Sequence, residues 1–219
     1  MNYYDNSGNR QSIFNLVPKV TGHLILINII LFIATLINEH FMIGTFSLFY
    51  PASPFFRPWQ LITHMFMHGG FFHIFFNMYS LFLFGTVLER TIGSKKFVVF
   101  YFLCGIGAML LHLLTVHLTG SIADKTIVPM LGASGAIYGL FIGYGMMFPD
   151  NILTLVFPPI SLKAKWMMLI FVVIELAIGI YDTSDGVAHF AHLGGALIGF
   201  LLMFYWKKTG KIWLRNKWI

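Results

Sequence analysis

Six long apolar runs constrain this chain more than any other feature. Lipid cannot satisfy an open backbone, so each run that crosses a membrane must be a helix. Of the 219 residues, 58% are hydrophobic and 10% are charged, whereas soluble domains carry about 25% charged residues. The sequence therefore predicts an all-α polytopic membrane protein, a six-transmembrane-helix bundle with spans at Val20–Leu36, Phe71–Leu88, Phe97–Leu118, Ala133–Phe148, Trp166–Tyr181 and Val187–Trp206.

Positive charge is distributed unevenly over the predicted loops. All Lys and Arg residues except Arg57 and Lys125 fall in the two tails or in the second-to-third and fourth-to-fifth loops. This bias predicts that both termini are cytoplasmic. It also accounts for the net charge of +6 without a nucleic-acid partner. We predict a cytoplasmic N-tail at 1–19, a six-span domain at 20–206 and a basic cytoplasmic C-tail at 207–219.

The segment between the first two spans, roughly 37–70, is too apolar for an ordinary loop. It carries eight Phe, Tyr and Trp residues, among them Phe41, Phe49 and Trp59. One interpretation is an outer loop with its own small core. We favour a segment that lies in the outer membrane interface, where aromatic rings are enriched.

A serine surrounded by small residues, Ser134 in the segment Gly132–Gly139, opens the fourth span. Such a residue can simply let helices pack closely, as small residues do in membrane proteins. It can also be a nucleophile at a helix start, where glycines let backbone and substrate approach. The second interpretation needs a base and an oxyanion pocket at the same depth.

Helix rise places four polar side chains in one layer. Ser134 lies 14 residues before Phe148, at about 21 Å above the inner boundary and about 9 Å below the outer one. His192 lies 14 residues before Trp206 and reaches the same height. In the second span, His73 and Asn77 come at about 24 and 18 Å. We expect these four residues to converge below the outer surface.

Glycine stripes suggest how the fourth and sixth spans meet. Gly135, Gly139 and Gly143 recur every four residues, as do Gly195 and Gly199. Residues four apart share a helix face, and small faces let two backbones approach closely. A short serine–histidine contact between helices requires such packing, although the stripes alone do not exclude plain helix packing with no chemistry.

The converging residues suit acyl transfer. Histidine, with a pKa near neutrality, can take the proton of Ser134. The Ser134 amide at a helix N-terminus, together with His73 and Asn77, can donate to an oxyanion. Tyr138 shares a face with Ser134 and can pack against the imidazole of His192.

A third catalytic member is not evident, so the sequence predicts a Ser134–His192 dyad. Asp182 and Asp185 lie above the proposed site at the outer end of the fifth span. Glu175 lies mid-span. An intramembrane acid is a functional candidate by default, but with no partner at its depth we expect a bonded interior role. We also expect the fifth span, which lacks a glycine stripe, to be the movable wall for substrate entry.

Nine histidines leave a second class open, a membrane metal or haem protein. His64 and His68 have the i,i+4 spacing that metal ligands can show. However, HExxH and cysteine clusters are absent from the sequence, and we expect no metal or other cofactor. A third alternative is a catalytically inactive relative that binds membrane clients.

Four motifs resemble those of one known family, the rhomboid intramembrane serine proteases. They are the segments Gly132–Gly135, Ala191–Gly195 and His73–Asn77, and a GxxxExxxG pattern at Gly85–Gly93. Their order and the number of spans are similar to those of compact bacterial members. The resemblance implies a protease in the cell (inner) membrane, with its site open to the outer side, that acts on transmembrane proteins among membrane lipids.

The same resemblance implies individual roles. Ser134 corresponds to the nucleophile and His192 to the general base, with His73, Asn77 and the Ser134 amide as the oxyanion hole. Gly132 corresponds to the glycine beside the nucleophile and Tyr138 to the aromatic stacked on the histidine. Gly195 and Gly199 match the close-packing glycines of the last span. One departure is Trp59-Gln60, where many members have Trp-Arg, which puts an arginine anchor of the outer segment in doubt.

Overall fold

Long helices form almost all of the fold, as the apolar runs require. The structure, a computed structural model, describes residues 17–120, 125, 127–155, 158–181 and 188–212. The helices are α1 Lys19–Ile37, α2 Glu39–Phe46, α3 Gln60–Thr63 with a 3₁₀ turn at His64–Phe66, α4 Phe71–Ile92, α5 Ser94–Thr119, α6 Ser134–Met147, α7 Ala164–Tyr181 and α8 His189–Lys208.

Five of these helices, α1, α4, α5, α7 and α8, are long and apolar enough to cross a membrane. Each exposes large apolar side chains on the outside of the bundle, such as Ile30 on α1, Phe72 on α4 and Leu118 on α5. The predicted class, an all-α polytopic membrane protein, is confirmed. The helix ends agree with the predicted spans to within a few residues, although Val187, the predicted start of the sixth span, lies outside the described residues.

Helix α6 is the exception, and the count of six spans stays a prediction. It has 14 residues and is therefore about 21 Å long. A helix that crosses the hydrocarbon core, which is about 30 Å thick, needs roughly 20 residues. Its surroundings explain its length, because α4, α5, α7 and α8 pack around it and Leu140 at its middle is wholly buried. The helix thus begins inside the bundle rather than at its surface.

Helices α6 and α8 touch through their backbones. A side chain at Gly195 would collide with the carbonyl oxygen of Gly135. A Cβ at Gly199 would lie 2.8 Å from the Cα of Gly139. The stripe on α8 therefore packs on the α6 backbone, whereas a Cβ at Gly135 or Gly139 would meet Ala108 or Cys104 of α5 at 2.3 Å. These contacts hold the first turns of α6 and α8 close together, which sets the distance between the side chains that those turns carry.

The outer segment is anchored to the loop that precedes α6. Leu48 and Met130 exchange backbone hydrogen bonds of 2.8 Å in both directions, and the Gly132 amide donates to the His64 carbonyl at 2.9 Å. Leu48 and Phe49 are buried, whereas Phe41 and Trp59 are about half exposed. The segment thus has a small core and an exposed aromatic side, and its position in the membrane interface stays a prediction.

Gln60 occupies the centre of this outer segment. It is wholly buried, and its Oε1 accepts from the amides of Phe49 and Arg57 at 3.3 and 3.1 Å. Its Nε2 donates to the carbonyls of Thr45 and Phe55 at 3.3 and 3.0 Å. All four hydrogen-bonding positions of the amide are used. A glutamine can therefore anchor the segment in place of the arginine that the resemblance leads one to expect.

The loop between α6 and α7 adds an element that the sequence did not predict, an antiparallel hairpin. Its strands are β1 Ile152–Thr154 and β2 Ser161–Lys163. At its base, Asp150 lies 3.2 Å from the ammonium groups of both Lys163 and Lys165. Hydrogen bonds from Lys165 and Lys163 lower the pKa of this exposed carboxyl.

The backbone contact between α6 and α8 predicts opposite outcomes for two glycine substitutions. Gly195→Ala should separate the helices and destabilise the protein by about 1–3 kcal/mol, the usual cost of overpacking. Gly44→Ala on α2 meets nothing within 4 Å and should be neutral or stabilise by roughly 0.5–1 kcal/mol. Thermal unfolding of the purified variants measures both. Equal midpoints for the two would contradict the described packing.

Candidate active site

Ser134 is the first residue of α6, at the end of a loop shaped by glycine. Gly132, two residues earlier, has φ of +123°, a conformation that L side chains rarely adopt. Its amide is held by the His64 carbonyl, so the outer segment fixes this turn. Ser134 is half-buried, and its backbone amide is one of the helix-end donors that lack an intrahelical partner.

His192 on the first turn of α8 meets Ser134 across the α6–α8 contact. The Nε2 of His192 lies 2.8 Å from the Oγ of Ser134. The ring of Tyr138, one turn below Ser134, stacks on the imidazole with centroids 4.4 Å apart and planes 8° from parallel. His192 is 9% exposed. A base in this position can take the serine proton without prior movement of either helix.

A buried carboxylate, Glu175 of α7, lies on the other side of the imidazole. Its Oε2 is 2.7 Å from the Nδ1 of His189 and 3.0 Å from the Nδ1 of His192. Its Oε1 accepts a short hydrogen bond from the Tyr138 hydroxyl. The His192 contact is at ion-pair distance, but the ring N–H is not directed at the oxygen, so it lacks hydrogen-bond geometry.

The expectation that Glu175 has no partner at its depth is wrong. Glu175 lies away from the layer of Ser134, but its partners lie at another level. Tyr138 is ten residues before Phe148 and Glu175 eleven after Ala164, so their heights are about 15 and 16 Å. Glu175 therefore lies level with Tyr138, and the remaining few ångströms to His192 are bridged by the lengths of the two side chains. That comparison could have identified Glu175 as a site residue.

His73 on α4 lies beside the site, and Asn77 follows it one turn further along the same helix. His73 Nδ1 accepts from the Gly69 amide at 3.4 Å, which leaves the proton on Nε2. A Cβ built on Gly132 would lie 2.8 Å from that Nε2 and 3.7 Å from the Oγ of Ser134. Thus the space that glycine leaves empty lies between a donor and the candidate nucleophile. Asn77 uses one amide proton on the His73 carbonyl at 2.7 Å.

Three of these side chains could also hold a metal ion. One ligand atom each from Glu175, His189 and His192 lies within 4.8 Å of the others, and imidazole with carboxylate suits zinc. Two of those atoms already share a proton at 2.7 Å, so a metal would have to displace it. His64, considered above with His68 as a ligand pair, has its Nδ1 2.8 Å from the Gln60 carbonyl.

His64 and His68 are buried in the outer segment, beside the site. Burial lowers the pKa of His64 to about 4, although its bond to the Gln60 carbonyl acts in the opposite direction. Burial and the neighbouring His73 lower the pKa of His68 to about 3. The His68 and His73 rings meet edge to face with centroids 4.9 Å apart. Asp182 and Asp185 lie outside the described residues.

The fold is a polytopic helix bundle, and a serine contacts a histidine at the start of a buried helix. These two features are typical of a membrane-embedded hydrolase. Residues 56–209 match the family model of the Rhomboid domain. The chain therefore belongs to the rhomboid family.

Three curated relatives show the extent of the similarity. RHOMBOID-like protein 6, mitochondrial, of Arabidopsis thaliana is 34% identical over 67% of this chain and 43% of its own length. Rhomboid protein 1, mitochondrial, of Saccharomyces cerevisiae is 33% identical over 68% and 42%. Rhomboid-like protease 3 of Toxoplasma gondii is 31% identical over 78% and 60%. The chain thus spans about half the length of these relatives.

Gly132 offers a test of the pocket between His73 and Ser134. If this site cleaves peptides, Gly132→Ala should lower kcat by about 10²-fold or more, the usual effect of blocking one polar group at the reacting centre, because the new methyl occupies the space beside His73 Nε2 in a strained backbone. Gly70→Ala is the control, since a Cβ there meets nothing within 4 Å. Cleavage of a synthetic single-span peptide measures both. Wild-type kcat in Gly132→Ala would exclude this pocket from the reaction.

The buried histidines predict how stability depends on pH. The folded pKa values of both histidines lie below the ordinary 6.5. As the pH falls below 6.5, the unfolded chain therefore binds more protons than the folded protein does, and the free energy of unfolding decreases. Their contribution is fully present above pH 6.5 and is lost toward pH 4, by up to about 1.4 kcal/mol per pH unit for each titrating histidine. His68→Phe should flatten this part of the unfolding profile, and the exposed His40→Phe should not. Identical slopes for wild type and His68→Phe would contradict the assignment.

Proposed function

We propose that this protein is an intramembrane serine endopeptidase that cleaves transmembrane helices near their outer ends through an acyl-enzyme. The observation that carries the proposal is the 2.8 Å contact between Ser134 Oγ and His192 Nε2. The two residues lie on different helices and are 58 positions apart in the sequence, yet their side chains meet at hydrogen-bond distance. Membership of the rhomboid family supports the same activity.

In this mechanism His192 takes the proton of Ser134 while Oγ attacks the carbonyl carbon of the scissile peptide bond. The tetrahedral intermediate collapses with cleavage of the C–N bond, and His192 returns the proton to the leaving amine. Water then attacks the acyl-serine with His192 again as base, which frees the acid product and restores Ser134. Tyr138 supports the imidazole through its stacked ring.

The oxyanion formed in both steps is assigned to three donors: the Ser134 amide, His73 Nε2 and the second amide proton of Asn77. The tautomer inferred for His73 and the space beside Gly132 support this assignment. Gly195 and Gly199 support the site indirectly, because their packing against Gly135 and Gly139 fixes the separation of α6 and α8.

The depth of Ser134 and His192 and the distribution of Lys and Arg indicate how water and substrate reach the site. The excess of Lys and Arg in the tails and in two of the loops supports cytoplasmic termini, and in this proposal the site opens to the outer side of a cell (inner) membrane. Polar groups at this depth must face the bundle interior or a wet cavity, so water comes from the outer side, and transmembrane substrates enter sideways from the lipid. No nucleic acid and no cofactor is required.

Two alternatives have specific tests. The cluster of Glu175, His189 and His192 favours a metal-binding protein, and stoichiometric zinc in the purified protein would support it. An inactive, client-binding relative would leave Ser134 unreactive. A fluorophosphonate probe, which reacts only with activated serines, separates both from the protease.

We predict that the probe labels wild-type protein at Ser134 and that Ser134→Ala neither reacts nor cleaves. The substitution removes the nucleophile but almost no packing volume. His192→Ala should be similarly inactive, and the double variant little worse than either single one, because groups that act as a unit lose most of their effect at the first removal. Cleavage of a fluorogenic single-span peptide in proteoliposomes measures the rates.

Thermal unfolding provides the control, since both variants should remain folded and inserted. Wild-type cleavage by Ser134→Ala would refute the proposal. Losses that multiply in the double variant would show that the two residues act independently.

A further inference from the structure

Glu175 is the buried group that the mechanism above leaves without a role. It is 8% exposed and lies in the middle of a membrane-spanning helix. Three polar atoms surround its carboxylate: the Tyr138 hydroxyl and His189 Nδ1 at hydrogen-bond distance, and His192 Nδ1 at ion-pair distance. An intramembrane acid is costly and is retained where its charge is used. Two of its three neighbours, Tyr138 and His192, already belong to the proposed site.

We infer that Glu175 is a positioning residue that extends the Ser134–His192 pair to a Ser–His–Glu relay. This inference rests on the proposed serine protease function. An ionised carboxylate only accepts hydrogen bonds, so beside it the proton of His192 belongs on Nδ1. The lone pair of the ring then lies on Nε2, which is the atom 2.8 Å from Ser134 Oγ. The carboxylate thus selects the tautomer that can act as a base.

The same carboxylate stabilises the imidazolium that forms when Ser134 loses its proton. At 3.0 Å the attraction between Oε2 and the charged ring persists even though the N–H is not aimed at the oxygen, because charge–charge attraction depends on distance more than on angle. Contacts of this kind often tighten only when substrate is bound.

The neighbours of Glu175 hold the carboxylate in place. Tyr138 engages Oε1 and His189 engages Oε2, so the carboxylate cannot rotate away from His192 without losing one of them. Tyr138 contributes twice, since its ring stacks on His192 and its hydroxyl bonds to Glu175. The relay therefore joins α6, α7 and α8 at a single point.

The chain offers a matched control for testing this role. Glu89 on α4 is also a buried acid, 2% exposed, and accepts hydrogen bonds from the amides of Val20 and Thr21 and the hydroxyls of Thr21 and Ser94. Both Glu175→Gln and Glu89→Gln replace a buried carboxylate by an amide. None of the partners of Glu89 belongs to the proposed site.

We expect Glu175→Gln to lower kcat for the fluorogenic single-span peptide by about 10²-fold or more, with KM little changed, since a wrong tautomer costs about 10⁴ where an amide replaces the acid of a catalytic triad. The rate of fluorophosphonate labelling at Ser134 should fall in parallel. Glu175→Asp, which keeps the charge, should recover part of both rates. Glu89→Gln should lower the unfolding temperature but leave both rates unchanged per folded molecule.

A double-variant cycle separates positioning from general structure. If Glu175 acts through His192, Glu175→Gln should have no further effect on the residual labelling of His192→Ala protein. A multiplied loss in the double variant would overturn the inference. So would wild-type kcat in Glu175→Gln with only a lowered unfolding temperature.

Two further results would overturn the inference in different ways. Stoichiometric zinc in wild-type protein, with loss of labelling on chelation, would assign Glu175 to a metal site instead. Wild-type cleavage by Ser134→Ala would refute the protease proposal itself. If Ser134→Ala is inactive while Glu175→Gln keeps the wild-type rate, the protease proposal stands and the relay fails.

Discussion

The close approach of α6 and α8 is the constraint on which the rest of the site depends. Glycine at 195 and 199 lets the backbone of α8 touch that of α6, and glycine at 135 and 139 leaves room for Ala108 and Cys104 of α5. Only at that separation can a serine and a histidine with short side chains meet at 2.8 Å. The membrane gives no hydrophobic drive for helices to associate, because lipid is as apolar as the side chains. Close packing therefore supplies both the stability of the bundle and the geometry of the proposed site.

The outer segment fixes the turn from which α6 begins. Gly132 must adopt a positive φ for α6 to begin at Ser134, and its amide is held by the His64 carbonyl. His64 belongs to the same anchored segment as Gln60, whose amide uses all four of its hydrogen-bonding positions. The loop before Ser134 is thus fixed by His64, which lies 68 positions before Gly132 in the chain and is itself one of the buried histidines.

Much of this architecture could be predicted from the sequence, because membrane insertion leaves few choices. Apolar runs and the rise of a helix predicted the long helices and placed Ser134, His192 and His73 at similar heights. Two features were missed. The outer segment folds through contacts such as Leu48 with Met130 that have no periodic pattern. Glu175 was misjudged because its height was compared with that of Ser134 and not with that of Tyr138, and because side-chain length can bridge several ångströms between layers.

Because Glu175 lies on α7, which is the predicted fifth span, movement of this helix would also move the carboxylate beside His192. Among the residues described, α7 packs against α6 and α8 but makes no extensive contact with α4, so close packing on α4 does not oppose its displacement. The same helix carries the carboxylate that lies 3.0 Å from His192. If the protease proposal and the relay both hold, a displacement of α7 large enough to admit a substrate helix would also draw Glu175 away from the base. Chemistry would then follow only when α7 returns, with the substrate strand inside and the relay restored. The contacts of Tyr138 and His189 with the carboxylate would set the cost of each opening, and so link substrate entry to activation of Ser134.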